Sequence, residues 1–141
     1  MTINDVVITS LPKIITEGGD VLRALKQSED VYAGFGEAYF SHIDFNAVKA
    51  WKKHNVQICN LIVPVGNVRF VVVDGEGKQL VIDVDNDNYC RITIPPGLWF
   101  GFQGLSLGVN LVLNISNIEH DPSESERINK EEIHFDWGAE S

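Results

Sequence analysis

Short runs of Val, Ile, Leu, Phe and Tyr, cut at regular intervals by turn-forming residues, constrain this chain more than any other feature. They fall at 6–9, 21–25, 38–43, 58–65, 67–73, 80–84, 89–94, 98–102 and 110–115. These residue types suit a pleated surface buried on at least one side. Between the runs stand Gly18-Gly19, Gly66, Gly75-Glu76-Gly77, Asp85-Asn86-Asp87-Asn88, Pro95-Pro96-Gly97, Gly104 and Gly108, which bend or end extended chain. A strand roughly every ten residues predicts an all-β sandwich or barrel.

The 141 residues fit one domain. We see no internal repeat and no linker, so the whole of 1–141 is read as one unit with an acidic C-terminal segment, 119–141. Helix is expected in one place. Asp121 can accept from freed backbone N–H groups, Pro122 suits the first helical position, and Glu124 completes a capping-box pattern. A short C-terminal helix over 122–130 is therefore predicted. The stretch 45–52 reads equally well as a turn or two of helix or as strand.

No apolar run approaches the roughly 20 residues that cross a bilayer, and 1–15 lacks a basic start before an apolar core. No membrane association is expected. The net charge is −9, the wrong sign for a general nucleic-acid binder. That charge is concentrated: 119–141 holds 8 acidic and 2 basic side chains, which reads as a solvated tail that aids solubility. Cys59 and Cys90 both sit in apolar runs. Two buried thiols of a cytoplasmic protein are the simpler reading, and a disulfide stays open.

Lys49, Lys52, Lys53 and His54 form the densest positive cluster. On an alternating strand Lys52 and His54 share one face, and Lys49 and Lys53 the other. The competing reading is a solvated edge strand on which lysines discourage pairing. Glu37, Tyr39 and Ser41 likewise share a face of their strand.

The run Asn88-Tyr89-Cys90-Arg91-Ile92-Thr93-Ile94-Pro95-Pro96-Gly97-Leu98-Trp99-Phe100-Gly101-Phe102 resembles a signature segment of the dTDP-4-dehydrorhamnose 3,5-epimerase family. Val48-Lys49-Ala50-Trp51-Lys52-Lys53-His54 is similar to that family's Arg-Gly-Leu-His strand. Residues 60–70 resemble the strand, turn and strand that follow. The resemblance covers roughly 20–118. It implies a cupin-type jelly roll (a double-stranded β-helix) and a homodimer whose strands exchange across the interface. It further implies a nucleotide-sugar substrate, no cofactor, and a place in surface-polysaccharide or deoxysugar synthesis.

The implied chemistry is epimerisation of a nucleotide-linked 4-keto-6-deoxy sugar at C3 or C5. A base removes the proton beside the ketone and an acid returns one on the opposite face. The ketone spreads the carbanion's charge as an enolate, so the site needs a base near neutral pKa and a donor to the enolate oxygen. The family's catalytic His falls on Lys52, with His54 two residues on. Its second His corresponds to Phe100, and its Tyr falls near Leu113. The expectation is His54 as base, because imidazole needs no tuning, and Lys52 as electrostatic helper. Tyr39 is expected as acid and Asp136 as the carboxylate orienting the base. Arg23, Glu37, Ser41, Lys49, Asn60 and Arg69 are the implied substrate contacts. Metal-binding cupins use ligands that Lys52 and Phe100 replace here, so no metal is expected. A nucleotide-sugar-binding cupin without catalysis and a sugar 3,4-ketoisomerase are the alternatives.

Overall fold

The computed structural model describes residues 1–138. Twelve strands run in order: β1 (Val7–Ser10), β2 (Lys13–Ile14), β3 (Val21–Leu22), β4 (Glu37–His42), β5 (Val48–His54), β6 (Cys59–Val65), β7 (Val68–Val73), β8 (Gln79–Val84), β9 (Cys90–Ile94), β10 (Trp99–Gly104), β11 (Leu111–Ser116) and β12 (Ser125–Arg127). Two five-stranded antiparallel sheets face each other, in the orders β1-β9-β6-β11-β4 and β12-β5-β10-β7-β8, and β2 pairs with β3. From β4 onward the chain crosses from one sheet to the other at almost every connection, which makes the sandwich a cupin jelly roll.

The turn residues explain the punctuation. Gly66 and Gly97 take φ of 93° and 94°, a region open to glycine without strain. The Pro-Pro-Gly turn also anchors the neighbouring strand, because Gly97 N–H donates to the His54 carbonyl at 2.8 Å. Alternation then sorts the side chains. Val68, Phe70 and Val72 of β7 meet Cys90, Ile92 and Ile94 of β9 and Leu61 and Val63 of β6 in a closed apolar core. Full burial of each such side chain contributes roughly 1.5–3 kcal/mol. Cys59 and Cys90 are both buried free thiols.

Parts of the outer faces are covered too. On the first sheet, Arg91 reaches out to the segment at 24–29, donating to the Ala24 carbonyl at 2.6 Å and to Glu29. On the second, Trp51, Val71 and Val73 are capped by Ile128, Ile133, Phe135 and Trp137.

Residues 119–138 therefore do not form the solvated tail that their charge predicts. The helix start behaves as expected: Asp121 accepts from Ser123 N–H and Pro122 begins the turn. It stops after one 3-10 turn, Pro122–Glu124, and β12 follows along β5. The predicted helix over 122–130 is lost because pairing with β5 and burial of the apolar residues beyond it outweigh helix propensity. In the stretch 45–52 Phe45 makes an isolated bridge to Gly104, Asn46 turns, and strand β5 begins at Val48, with no helix. Among the described residues no helix is long and apolar enough to cross a membrane.

Candidate active site

Beside the apolar core an open cavity of about 780 Å³ lies between the sheets. One wall is β5 and β10, the other is β4 and β11, and the segment after β12 forms the rim.

β5 sets the site because its alternation is broken once. Phe100 pairs with Lys52 and Phe102 with Lys49, so β5 has one more residue than β10 between those pairs. Such a bulge shifts which side chains face inward. Gly101 lies at this irregularity, where a Cβ would sit 2.5 Å from the Ala50 Cβ. The result is that Lys49, Lys52 and His54 all line the cavity. Strict alternation had placed Lys49 on the other face with Lys53. Lys53 does face outward, pairing with Glu126 at 3.3 Å and lying 5.0 Å from the Trp99 ring centre.

His54 is buried, and its ring stacks on Phe100 with centres 6.0 Å apart. Its Nδ1 bonds the Glu124 carboxylate. The other carboxylate oxygen accepts from the backbone N–H groups of Asn55, Val56 and Gln57 at 3.1–3.2 Å. Burial lowers the His54 pKa below its ordinary 6.5, and Glu124 opposes that shift. The bonds from His54 and from those N–H groups hold the Glu124 carboxyl below its ordinary 4.5, against the opposing effect of burial. Both directions describe one state: a neutral imidazole beside a carboxylate. Nδ1–H donates to Glu124, and Nε2 carries the free lone pair. The position beside His54, expected for Asp136, thus belongs to Glu124. Asp136 is exposed and accepts from Gly138 N–H.

Lys52 is half-buried, and burial, then the nearby Arg127 guanidinium, lowers its pKa. Lys49 Nζ donates to the His42 carbonyl at 2.9 Å. On the facing wall, Tyr39 Oη accepts from Asn114 Nδ2 at 2.9 Å, and Asn114 Oδ1 accepts from Asn60 N–H at 3.2 Å. With its oxygen accepting from an amide, the phenol hydrogen is free to be donated elsewhere. Ser41 lines the same wall.

The remaining candidates lie elsewhere. Asn60 is buried behind the wall, where Oδ1 accepts from Thr93 Oγ1 at 2.7 Å. It reaches the cavity only through Asn114. Arg69 is held by Asp83 in two bonds of 2.7 and 2.9 Å on the outer face of β7. Glu37 accepts from His120 N–H, and Arg23 is exposed with its carbonyl bonded by Tyr89. None of these four lines the cavity. Leu113 pairs with Phe40 and points outward, so Asn114 is the inward residue of that strand. Glu124, Arg127 and Asn114 were missed. Glu124 was read as a local helix cap, and nothing in its neighbourhood in sequence points to His54, 70 residues away. Among the described residues no group of three or more His, Cys, Asp or Glu is placed to hold a metal.

No protein-family model and no curated protein matches the chain. Solved structures do. A dTDP sugar isomerase from Desulfovibrio desulfuricans G20 is 34% identical, with a TM-score of 0.91 over 97% of this chain and 93% of the other. The chain belongs to the dTDP-sugar isomerase family. The fold is shared more widely within the family's reach. A dTDP-4-dehydrorhamnose 3,5-epimerase from Sulfolobus tokodaii is 19% identical, with a TM-score of 0.80 over 93% of this chain and 81% of its own. A sugar 3,4-ketoisomerase from Thermoanaerobacterium thermosaccharolyticum, solved with TDP, is 17% identical, with a TM-score of 0.77 over 93% of each chain.

Proposed function

We propose that this dTDP-sugar isomerase family member epimerises a nucleotide-linked 4-keto-6-deoxy sugar at a carbon beside the ketone. The observation that carries the reading is the His54–Glu124 pair at the cavity wall, with Tyr39 on the wall opposite. His54 Nε2 takes the proton from C3 or C5. Glu124 fixes the tautomer and stabilises the imidazolium that forms. This is how a carboxylate assists a base without itself taking the proton. Lys49 and Arg127 line the cavity and bring positive charge to a site that has to receive a diphosphate and the charge developing at the ketone. Tyr39 returns a proton to the opposite face, because Asn114 occupies its oxygen and leaves its hydrogen. Membership of the family and the polar cavity support this reading together, and the product is built for surface polysaccharide or deoxysugar synthesis. We also infer a homodimer, as the family resemblance implies, with Phe35 and Phe40, 64% and 62% exposed, available to such an interface.

The test is direct. Incubate the protein with dTDP-4-keto-6-deoxyglucose in deuterated water and follow the sugar by NMR. Deuterium at C3 or C5 is the expected result. Its absence from that sugar and from the UDP- and GDP-linked equivalents overturns the proposal. A product with its ketone moved to C3 would instead make the protein a 3,4-ketoisomerase.

A further inference from the structure

Lys52 is the charged group at the site that electrostatic assistance explains least. An ammonium meant to hold an anion is ordinarily kept protonated by carboxylates or by water. Among the described residues Lys52 has no carboxylate of its own, and only part of its surface meets water. It is half-buried on the cavity face of β5. Among the described residues its Nζ is in no ion pair, while Lys53 next to it pairs with Glu126. The carboxylates at the cavity are committed elsewhere. Glu124 is engaged by His54 and three backbone N–H groups. Glu132, on the rim, accepts from Asn129 N–H at 2.6 Å. Across the β12–β5 pair Arg127 stands directly opposite Lys52 and lines the same cavity, and after burial it lowers the Lys52 pKa most, against a smaller opposing effect of Glu124. Burial plus an adjacent cation is the environment that turns a lysine from a point charge into an amine nucleophile. The lowered pKa agrees with it.

On the reading given above, a ketone enters this cavity. We propose that Lys52 attacks that ketone and carries the sugar as an iminium while His54 removes the neighbouring proton. The Nζ lone pair forms a bond to the carbonyl carbon, and the C=O π pair moves to oxygen. Proton transfer from nitrogen to oxygen gives a neutral carbinolamine. One further proton from solvent expels that oxygen as water and leaves a C=N⁺ bond. His54 Nε2 then takes the adjacent C–H proton. The C–H pair becomes the C=C of an enamine, and the iminium π pair returns to nitrogen. Reprotonation from the Tyr39 side inverts the carbon and restores the iminium. Water adds, the C–N bond breaks, and the ketone, the amine and the solvent proton are recovered. Positively charged nitrogen is a better electron sink than a neutral ketone oxygen. Lys52 and His54, two residues apart on one strand face and so roughly 6.6 Å apart at Cα, reach neighbouring atoms of one sugar ring.

Two measurements on the full chain decide it. The first follows the ketone oxygen of dTDP-4-keto-6-deoxyglucose in ¹⁸O-labelled water beside the deuterium exchange. The second adds sodium cyanoborohydride, which reduces an iminium in preference to a ketone, and maps the protein by mass spectrometry. The expected results are ¹⁸O incorporation well above the uncatalysed hydration background and a reduced sugar adduct on Lys52. Lys52→Arg, which keeps the charge and removes the nucleophile, should lose the ¹⁸O exchange and slow deuterium uptake on the order of 100-fold or more. Deuterium uptake without accelerated ¹⁸O exchange overturns the covalent role and leaves the epimerase reading standing. The reverse, ¹⁸O exchange and adduct without deuterium at C3 or C5, keeps Lys52 as the nucleophile and overturns epimerisation. Absence of both labels overturns the two together.

Discussion

The molecule buries two cationic-type side chains against glutamates brought from far along the chain, and the two pairs have opposite designs. Arg91 is 0% exposed, and Glu29 lies 2.5 Å from it. One guanidinium nitrogen also donates to the Ala24 carbonyl. That geometry fastens the segment at 24–29 onto the first sheet, and the guanidinium holds the Glu29 carboxyl below its ordinary range. An arginine is suited to this because its fork binds a carboxylate twice and does not lose its proton. His54 is as deeply buried, yet Glu124 takes only one of its two nitrogens, and the other belongs to the cavity. Burial lowers its pKa instead of locking its charge. One pair is closed and structural. The other is half open and able to accept a proton.

Breaking the open pair should give the largest change. His54→Gln is expected to reduce deuterium exchange into a 4-keto sugar by ~10²–10⁴-fold while the melting temperature moves little. Exchange that survives in this variant would make His54 as structural as Arg91. The closed pair should give the reverse pattern. Arg91→Ala removes the bonds to Ala24 and Glu29 and is expected to cost about 1.5–3 kcal/mol of stability by urea titration, with exchange per folded molecule unchanged. A folded, equally stable variant would deny Arg91 its fastening role.

Acid sharpens the contrast further. The His54 pKa is lower in the folded state than the ordinary 6.5. Between those two values the unfolded chain binds more protons, so stability rises with pH there and is lost as pH falls below 6.5. The exchange rate should decline lower down, as pH falls through the folded His54 value. Glu124 raises the His54 pKa, so Glu124→Gln should move that acid limb to lower pH. The Glu29 and Glu124 carboxyls, both held low, keep their stabilising effect above their ordinary 4.5 and lose it as pH falls through their folded values. His54 therefore contributes a slope near pH 6 that neither carboxylate supplies, and a His54→Gln protein with the same slope there would refute this. The smallest effect belongs to Lys53→Ala. Its exposed partner makes the ion pair worth ~0.2–1 kcal/mol, and exchange should be unchanged, although it neighbours both site residues in sequence.

How much of this was legible in sequence differs by element. Val68, Phe70 and Val72 announce an inward face through alternation, and Pro95-Pro96-Gly97 announces its turn. Lys52 and His54 could be placed on one face by the same arithmetic. Lys49 could not, because a bulge against Gly101 breaks the period, and a bulge depends on two strands, not one. Arg69 looked free in sequence and is spent on Asp83 across a strand pair. Glu124 was correctly linked to a turn start, but its partner was assigned locally, as a cap. Asp136 was chosen for lying late in the chain, where chain order alone cannot decide which carboxylate returns to His54.

By itself the sequence determined the β architecture, its turns, and the strand that carries the amine and the imidazole. Those are properties of side-chain periodicity and of what glycine and proline permit, and each acts over a few residues. Only the tertiary structure decided that Glu124 holds His54, that Arg127 faces Lys52, and that Asn114 frees the Tyr39 hydrogen. Such pairings join residues many positions apart, and their energies come from desolvation and hydrogen bonding that exist only once the sheets have closed.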